Sequence, residues 1–190
     1  MSILEWLGLN KRPTASPTPK QPGTEQTETV RKIVSKLDDL EPDRARFIAA
    51  FAYILGRVAH ADLDISDEET RAMEKIVTEF GALPEEQAII VVQMAKIHNE
   101  LFGHTEDFLV TREFAQHTTL DEKMALLDCL FAVSASDNAI SALENSEIRS
   151  IADELRLTLR DFAKARSKYR RYLSVLQLDD IGEEEEEEEE

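Results

Sequence analysis

Apolar residues recur along this chain every three or four positions, the spacing that places side chains on one face of an α-helix. The clearest stripe contains Phe47, Phe51, Leu55 and Val58. Such patterns cover residues 24–40, 42–61, 66–80, 84–102, 105–117, 119–133, 141–155 and 158–176. Residues 89–92 have the propensity of a strand, but the longer stripe around them indicates a helix. The pattern therefore predicts an all-α protein of eight helices.

The stripes also predict which side chains the helices bury. The helix over 66–80 is expected to turn Phe80 toward the core. The last helix is expected to run without a break to about residue 176, with Phe162, Tyr169 and Leu173 on its inner side.

One helix–turn–helix unit occurs twice. Residues 55–80 align with residues 130–155 without a gap, and eight of the twenty-six positions are identical. The identical pairs are Leu55/Leu130, Val58/Val133, Asp62/Asp137, Ile65/Ile140, Ser66/Ser141, Glu69/Glu144, Ile76/Ile151 and Glu79/Glu154. Because a duplicated unit buries its apolar face against its neighbour, we expect an internal duplication related by a pseudo-twofold axis.

Each repeat contains a helix start signal. Ser66 is followed three residues later by Glu69, and Ser141 by Glu144. In such a capping box the serine oxygen accepts a backbone N–H of the new helix, and the glutamate accepts the N–H of the serine. Each cap stabilises its helix by about 1 kcal/mol. Residues 119–122 (Thr-x-x-Glu) form a third box.

The combination of an apolar helix, an aspartate in the turn, Ile-Ser, a glutamate three residues later and a second apolar helix, present twice, resembles the TerB-like domain of tellurite resistance proteins. The resemblance covers roughly Asp43 to Leu176 and implies a single helical bundle of seven or eight helices. The family usually has glycine after the aspartate, whereas this chain has Leu63 and Asn138. Asparagine adopts the left-handed conformation more readily than leucine, so the two turns are expected to differ.

The acidic turns are the candidate site. The candidate metal ligands are Asp62, Asp64, Glu69, Asp137 and Glu144. The first turn spaces its oxygens as an EF-hand calcium loop does, but Asp67 and Met73 replace the required glycine and final glutamate. Two interpretations stay open. The carboxylates are helix caps and turn formers, or both turns together bind one divalent cation, such as Ca²⁺, as the sole cofactor.

Composition divides the chain into four segments. These are an apolar N-terminal segment over 1–10, a Pro- and Thr-rich linker over 11–24, the helical domain over 25–177 with repeats centred on 47–80 and 122–155, and an acidic tail over 178–190. The linker and the run Glu183–Glu190 have no apolar residues with which to form a core. We therefore expect both to be disordered and dispensable for stability.

The charge of the chain is strongly negative and unevenly distributed. The formal net charge is −17, of which −10 lies within 179–190. This acidity argues against nucleic acid as a partner, because phosphate recognition needs a basic surface. Residues 149–171 are the exception, with eight bases and three acids. This basic run is either a solvated helix face or a docking surface for an acidic partner, such as the tail.

The single cysteine and the hydropathy pattern bear on location. Cys129 cannot form an intrachain disulfide, which suits a reducing cytoplasm, and its place on an apolar helix face predicts burial. We expect no transmembrane segment, because no apolar run reaches about 18 residues, and no secretory signal. The apolar residues at the N-terminus are Ile3, Leu4, Trp6 and Leu7. They either fold back on the domain or dock on a protein partner or the inner face of the membrane.

No motif for an enzyme is present. The histidines, His60, His98, His104 and His117, lack metal-ligand spacing, and no nucleophile is spaced with a base. We therefore expect a non-catalytic protein. The resemblance implies a role in resistance to tellurite and other chemical stress, with divalent-metal binding as its biochemistry. The alternatives are an interaction scaffold or adaptor, and a co-chaperone, because TerB-like domains also precede J-domains.

Overall fold

The computed structural model describes residues 24–59, 67–97 and 107–174, and these ranges are helical almost throughout. Their helices are α1 (Thr24–Asp38), α2 (Pro42–Val58), α3 (Asp67–Phe80), α4 (Glu85–Lys96), α5 (Asp107–His117), α6 (Leu120–Ser134), α7 (Ala142–Glu154) and α8 (Leu159–Ser167). A 3-10 helix over Arg170–Tyr172 follows. The described ranges contain no β-strand, which confirms the prediction of an all-α helical bundle.

Local capping explains where several of these helices begin. The predicted box of Thr119 and Glu122 is present at the start of α6, with Glu122 Oε2 accepting the N–H of Thr119 at 2.8 Å. Pro42 starts α2, as predicted, and Glu41 caps it through its carboxylate. A fourth box, formed by Thr158 and Asp161, starts α8 and was not predicted. The hydrogen bonds from the Thr158 side chain and backbone lower the pKa of Asp161.

The two repeats pack on each other reciprocally. Helix α2 of the first repeat packs on α7 of the second, and α6 of the second packs on α3 of the first. Each leading helix also packs on the helix that follows its own repeat, α2 on α4 and α6 on α8. These four pairings are reciprocal, but α3 packs on α4 without an equivalent pairing of α7 with α8 among the main helix contacts, so the pseudo-twofold relation stays a prediction.

A single apolar core runs through both repeats. Phe51 from α2 and Phe131 from α6 are both fully buried within it. The Phe131 ring stacks on Tyr169, with 5.7 Å between ring centroids, and lies the same distance from Phe162. Cys129 is also fully buried, as predicted, and this burial raises the pKa of its thiol. The repeats therefore stabilise each other through shared apolar contacts.

The prediction that Phe80 points into the core is wrong. Phe80 is 36% exposed at the end of α3, whereas its counterpart Leu155 is fully buried. The space beside this end of α3 is occupied by Phe51, whose ring reaches to 3.0 Å from the position of a Cβ built on Gly81. The apolar stripe predicts which face of α3 points inward, but it does not predict which positions of that face the neighbouring helices cover.

The prediction of one unbroken last helix is wrong, but the prediction of its buried side chains is confirmed. Helix α8 ends at Ser167, and the chain becomes extended at Leu173. The N–H of Ile140 donates to Tyr172 O at 2.5 Å, and the N–H of Ser174 donates to Ile140 O at 3.0 Å. These bonds need an extended chain. Phe162, Tyr169 and Leu173 are nevertheless buried, as predicted.

Helix α4 is confirmed as a helix but ends earlier than the pattern indicates. It stops at Lys96, with Ile97 as its C-cap, rather than continuing to about residue 102. His98 and Asn99, which come next, are residues of low helix propensity.

Several predictions concern residues outside the described ranges. These include the N-terminal segment, the linker and the acidic tail, whose boundaries stay predictions. Among the helices that the structure describes, none combines the length and the hydropathy needed to cross a bilayer.

Candidate functional site

The turn between α6 and α7 is the half of the candidate site that the structure describes. Asn138 takes the left-handed conformation there, with a φ of 69°, as expected for the residue that replaces the family glycine. Asp137 is exposed, and its Oδ1 accepts the N–H of Ala139 at 3.2 Å. One carboxylate oxygen of Asp137 therefore shapes the turn, while the side chain remains open to solvent.

Glu144 belongs to the capping box of α7. Its Oε2 accepts the N–H of Ser141 at 2.9 Å, and Ser141 Oγ accepts the N–H of Glu144 at 3.1 Å. This confirms the second predicted box. One oxygen of Glu144 is thus committed to the helix start, and the half-buried side chain lies beside the turn.

The other predicted ligands cannot be placed in the same way. Asp62 and Asp64 lie outside the described residues, and so does the side chain of Glu69 at the start of α3. Among the described residues, no group of three or more His, Cys, Asp or Glu side chains could hold a metal ion. The described part therefore holds two of the five predicted ligands, Asp137 and Glu144.

A buried arginine joins the two repeats. Arg57 lies in the last turn of α2, and its side chain is only 7% exposed. Its guanidinium contacts Glu147 at 2.7 Å and Glu154 at 2.6 Å, both on α7. It also donates to Thr111 Oγ1 on α5 at 2.8 Å. One side chain thus ties three helices together.

The two glutamates of this cluster affect the pKa of Arg57. Burial alone would lower the pKa of Arg57, but the hydrogen bonds and charges of Glu154 and Glu147 outweigh it and raise the pKa above its ordinary value. The arginine stays charged, and two carboxylates oppose one guanidinium. The cluster is therefore an ion-pair network between the two repeats.

Arg57 also connects the end of α2, after which the first acidic turn follows in sequence, to the second repeat. Asp62 follows Arg57 by five residues, and Glu147 follows Glu144 by three. Three residues span about 4.5 Å along a helix axis. The ion pair with Glu147 ties the last turn of α2 to the second turn of α7.

Two buried oxygens in the described part lack a hydrogen-bond partner, and both belong to α6. They are Asp128 Oδ1 and Ser134 Oγ. A buried polar atom left in this state costs about 1–3 kcal/mol. Ser134 is the last residue of α6 and precedes Asp137 by three residues in the sequence.

Arg57 was not among the functional residues predicted from the sequence. Its signal was present, since Arg57 is the one charged residue in the apolar stretch 47–59. A charge in such a stretch is expected to be paired, but its partners are ninety and ninety-seven residues away. Of the four histidines, His117 alone is described, and it is exposed with Nε2 3.2 Å from Glu113.

Comparison with known proteins gives one result. The family model described as tellurite resistance protein TerB matches residues 47–167, which contain both repeats and the Arg57 cluster. Searches with the full chain found no significant match among the curated proteins or among the solved structures. The matched region covers well over half of the chain and includes the resemblance that the duplicated turns carry. This protein belongs to the TerB family of tellurite resistance proteins.

Proposed function

We propose that this protein is a non-catalytic, cytoplasmic stress-response protein whose two acidic turns bind one divalent cation between them. The observation that supports the proposal best is the Arg57–Glu147 ion pair, because it ties the last turn of α2, after which the first acidic turn follows in sequence, to the helix that follows the second turn. Two separate turns would give two weak sites. Turns held side by side give one stronger site.

The number of oxygens favours a shared site. Calcium takes six to eight oxygen ligands, and neither turn alone supplies them. Asp62 and Asp64 from the first turn, with Asp137 and Glu144 from the second, supply most of a shell that water completes. Exposed Asp137 can accept a cation without unfolding the turn, and Glu144 has an oxygen beyond the one used in the cap.

Electrostatics favours occupation by a cation. Carboxylates brought together repel each other unless they are protonated, hydrogen-bonded or bound to a metal. A divalent cation would relieve this repulsion, so binding and stability are expected to rise together.

Titration calorimetry with calcium, magnesium, manganese and zinc tests the proposal. We expect a stoichiometry near one, and we expect Asp62→Asn and Asp137→Asn each to abolish binding, because each removes a ligand of the same ion. Asp121→Asn is the matched control. It changes an exposed aspartate at the opposite end of α6 and should leave binding intact.

A second control separates a ligand from a helix cap. Ser141→Ala removes the hydroxyl that accepts the Glu144 N–H and should cost about 1 kcal/mol of stability while sparing cation binding. If the wild-type protein binds none of the four ions at millimolar concentration, the carboxylates are caps and turn formers, and the cation proposal is wrong.

An interaction module is the second candidate, and exposed leucines favour it. Leu143 is 77% exposed and Leu120 is 58% exposed, both at helix starts. They lie near opposite ends of α6, so each would be a separate contact point, and Leu143 is the one close in sequence to the second acidic turn. A scaffold or co-chaperone of this kind would keep its partner in the presence of a chelator and in Asp137→Asn, and would lose it in Leu143→Glu.

A further inference from the structure

An open groove with arginines on its walls lies between α7, α8 and the 3-10 helix. Its volume is about 540 Å³, within the range of ligand-binding clefts. Arg149 comes from α7, Arg166 from α8 and Arg170 from the 3-10 helix. Phe162 and Leu173 also line the groove, which therefore combines apolar side chains with three guanidinium groups.

The positive charge of this groove is barely neutralised by the fold. Arg149 Nε lies 3.8 Å from Asp153 Oδ2, and both side chains are exposed. Arg166 Nε donates to Asn145 Oδ1 at 2.9 Å, and that amide carries no charge. Arg170 is exposed and pairs with no carboxylate among the described residues.

Two of the three acids of the surrounding segment are engaged outside the groove. The bases over 149–171 are Arg149, Arg156, Arg160, Lys164, Arg166, Lys168, Arg170 and Arg171, and the acids are Asp153, Glu154 and Asp161. Glu154 pairs with Arg57, and Asp161 caps α8. In a chain of net charge −17, this groove is a concentrated positive surface that can attract an acidic ligand.

The chain itself carries an acidic segment that can reach the groove. The described residues end at Ser174, whose N–H bonds Ile140 O, and the preceding Leu173 lines the groove. Glu183 follows Ser174 by nine residues, which span at most about 30 Å when extended. A tether of this length gives an effective concentration in the millimolar range, so even a weak contact would be populated.

A second basic hollow competes for the same segment. Lys32 and Lys36 of α1 and Lys96 of α4 line it. Lys96 Nζ is already held by Thr70 Oγ1 at 2.7 Å. Lysine acts as a point charge, whereas arginine binds carboxylates through two parallel hydrogen bonds. The arginine groove is also the one from which the tether departs, and both facts favour it.

We propose that the groove between α7 and α8 is a docking surface for acidic peptide and that Glu183–Glu190 of the same chain is its occupant. The contact is independent of the cation site. Its charges are exposed, so each pair contributes little. Because the screening length falls from about 10 Å at 0.1 M salt to about 3 Å at 1 M, docking should disappear as salt rises.

The test compares amide chemical shifts of the full chain with those of a full-length variant in which Glu183–Glu190 are replaced by glutamine. At low salt we expect the amides of Ala163 and Ser167, which line the groove, to differ between the two proteins. The difference should vanish at about 1 M salt. It should also become smaller in Arg170→Gln, which removes one of the three guanidinium groups of the groove at an exposed position outside the core.

Lys36→Gln is the matched control, because it removes one charge from the lysine hollow and should leave the shift difference intact. Free octaglutamate added to the glutamine variant should restore the shifts at Ala163 and Ser167. Identical groove shifts in the two proteins at low salt would overturn the proposal. So would shifts confined to the lysine hollow, or shifts that depend on protein concentration, which would indicate a second copy as the acceptor.

Discussion

At the scale of the residue, Arg57 is the charged side chain whose removal we expect to lower the free energy of unfolding most. We predict that Arg57→Met costs about 3 kcal/mol of unfolding free energy in urea, because removing one partner leaves buried carboxylates without a counter-charge. Glu154 is the more buried partner at 19% exposure. Adding Glu154→Gln to Arg57→Met should therefore recover part of the loss.

The control for this prediction is an ion pair of the same chemistry at the surface. Arg46 contacts Asp43 at 2.8 Å, but the two side chains are 45% and 84% exposed. Arg46→Met should change stability by less than about 1 kcal/mol. If both variants lost the same unfolding free energy, burial would not explain the contribution of the Arg57 ion pairs, and the prediction would be wrong.

At the scale of the element, the segment over 168–174, here called the strap, is joined to the end of the second acidic turn by the bridge between Leu173 and Ile140. We predict that Leu173→Ala costs about 3 kcal/mol, because Leu173 is 2% exposed. Its loss should also speed hydrogen exchange at the amides of Ile140 and Ser174, which form the bridge bonds. Exchange measured by NMR at these two amides reports on the strap directly.

Leu159→Ala provides the comparison for the strap. Leu159 lies at the start of α8 and is 63% exposed, so its truncation should change stability by less than about 0.5 kcal/mol. It should leave exchange at Ile140 unchanged. Faster exchange there in both variants would show that α8 as a whole, and not the Leu173 bridge, protects the turn.

At the scale of the whole molecule, the common core predicts that the repeats unfold together. Phe51 and Phe131 belong to different repeats and to one apolar cluster. We predict that Phe51→Ala and Phe131→Ala each cost about 3–5 kcal/mol. Each should shift a single urea transition, with far- and near-ultraviolet circular dichroism coinciding. Two separated transitions in either variant would contradict the prediction.

The local part of this architecture was readable from the sequence. The box of Ser141 and Glu144, the start of α2 at Pro42 and the burial of Cys129 were all predicted correctly. Each depends on residues within one or two helical turns, and so does the left-handed Asn138. The membership of the TerB family was also readable, because the repeated motif is short and continuous in sequence.

Contacts between distant segments were decided by tertiary structure alone. Helix α8 ends at Ser167 because Leu173 bridges to Ile140, thirty-three residues earlier, and no local signal marks that exchange of bonds. Phe80 is 36% exposed although the stripe predicts it on the inner face of α3, because the packing of neighbouring helices decides which positions of a face are covered. The sequence thus determined the helices, their caps and the duplicated acidic turns, since these depend on neighbouring residues. The pairing of Arg57 with Glu147 and Glu154 depends on how the helices pack, and only the folded chain brings those charges together.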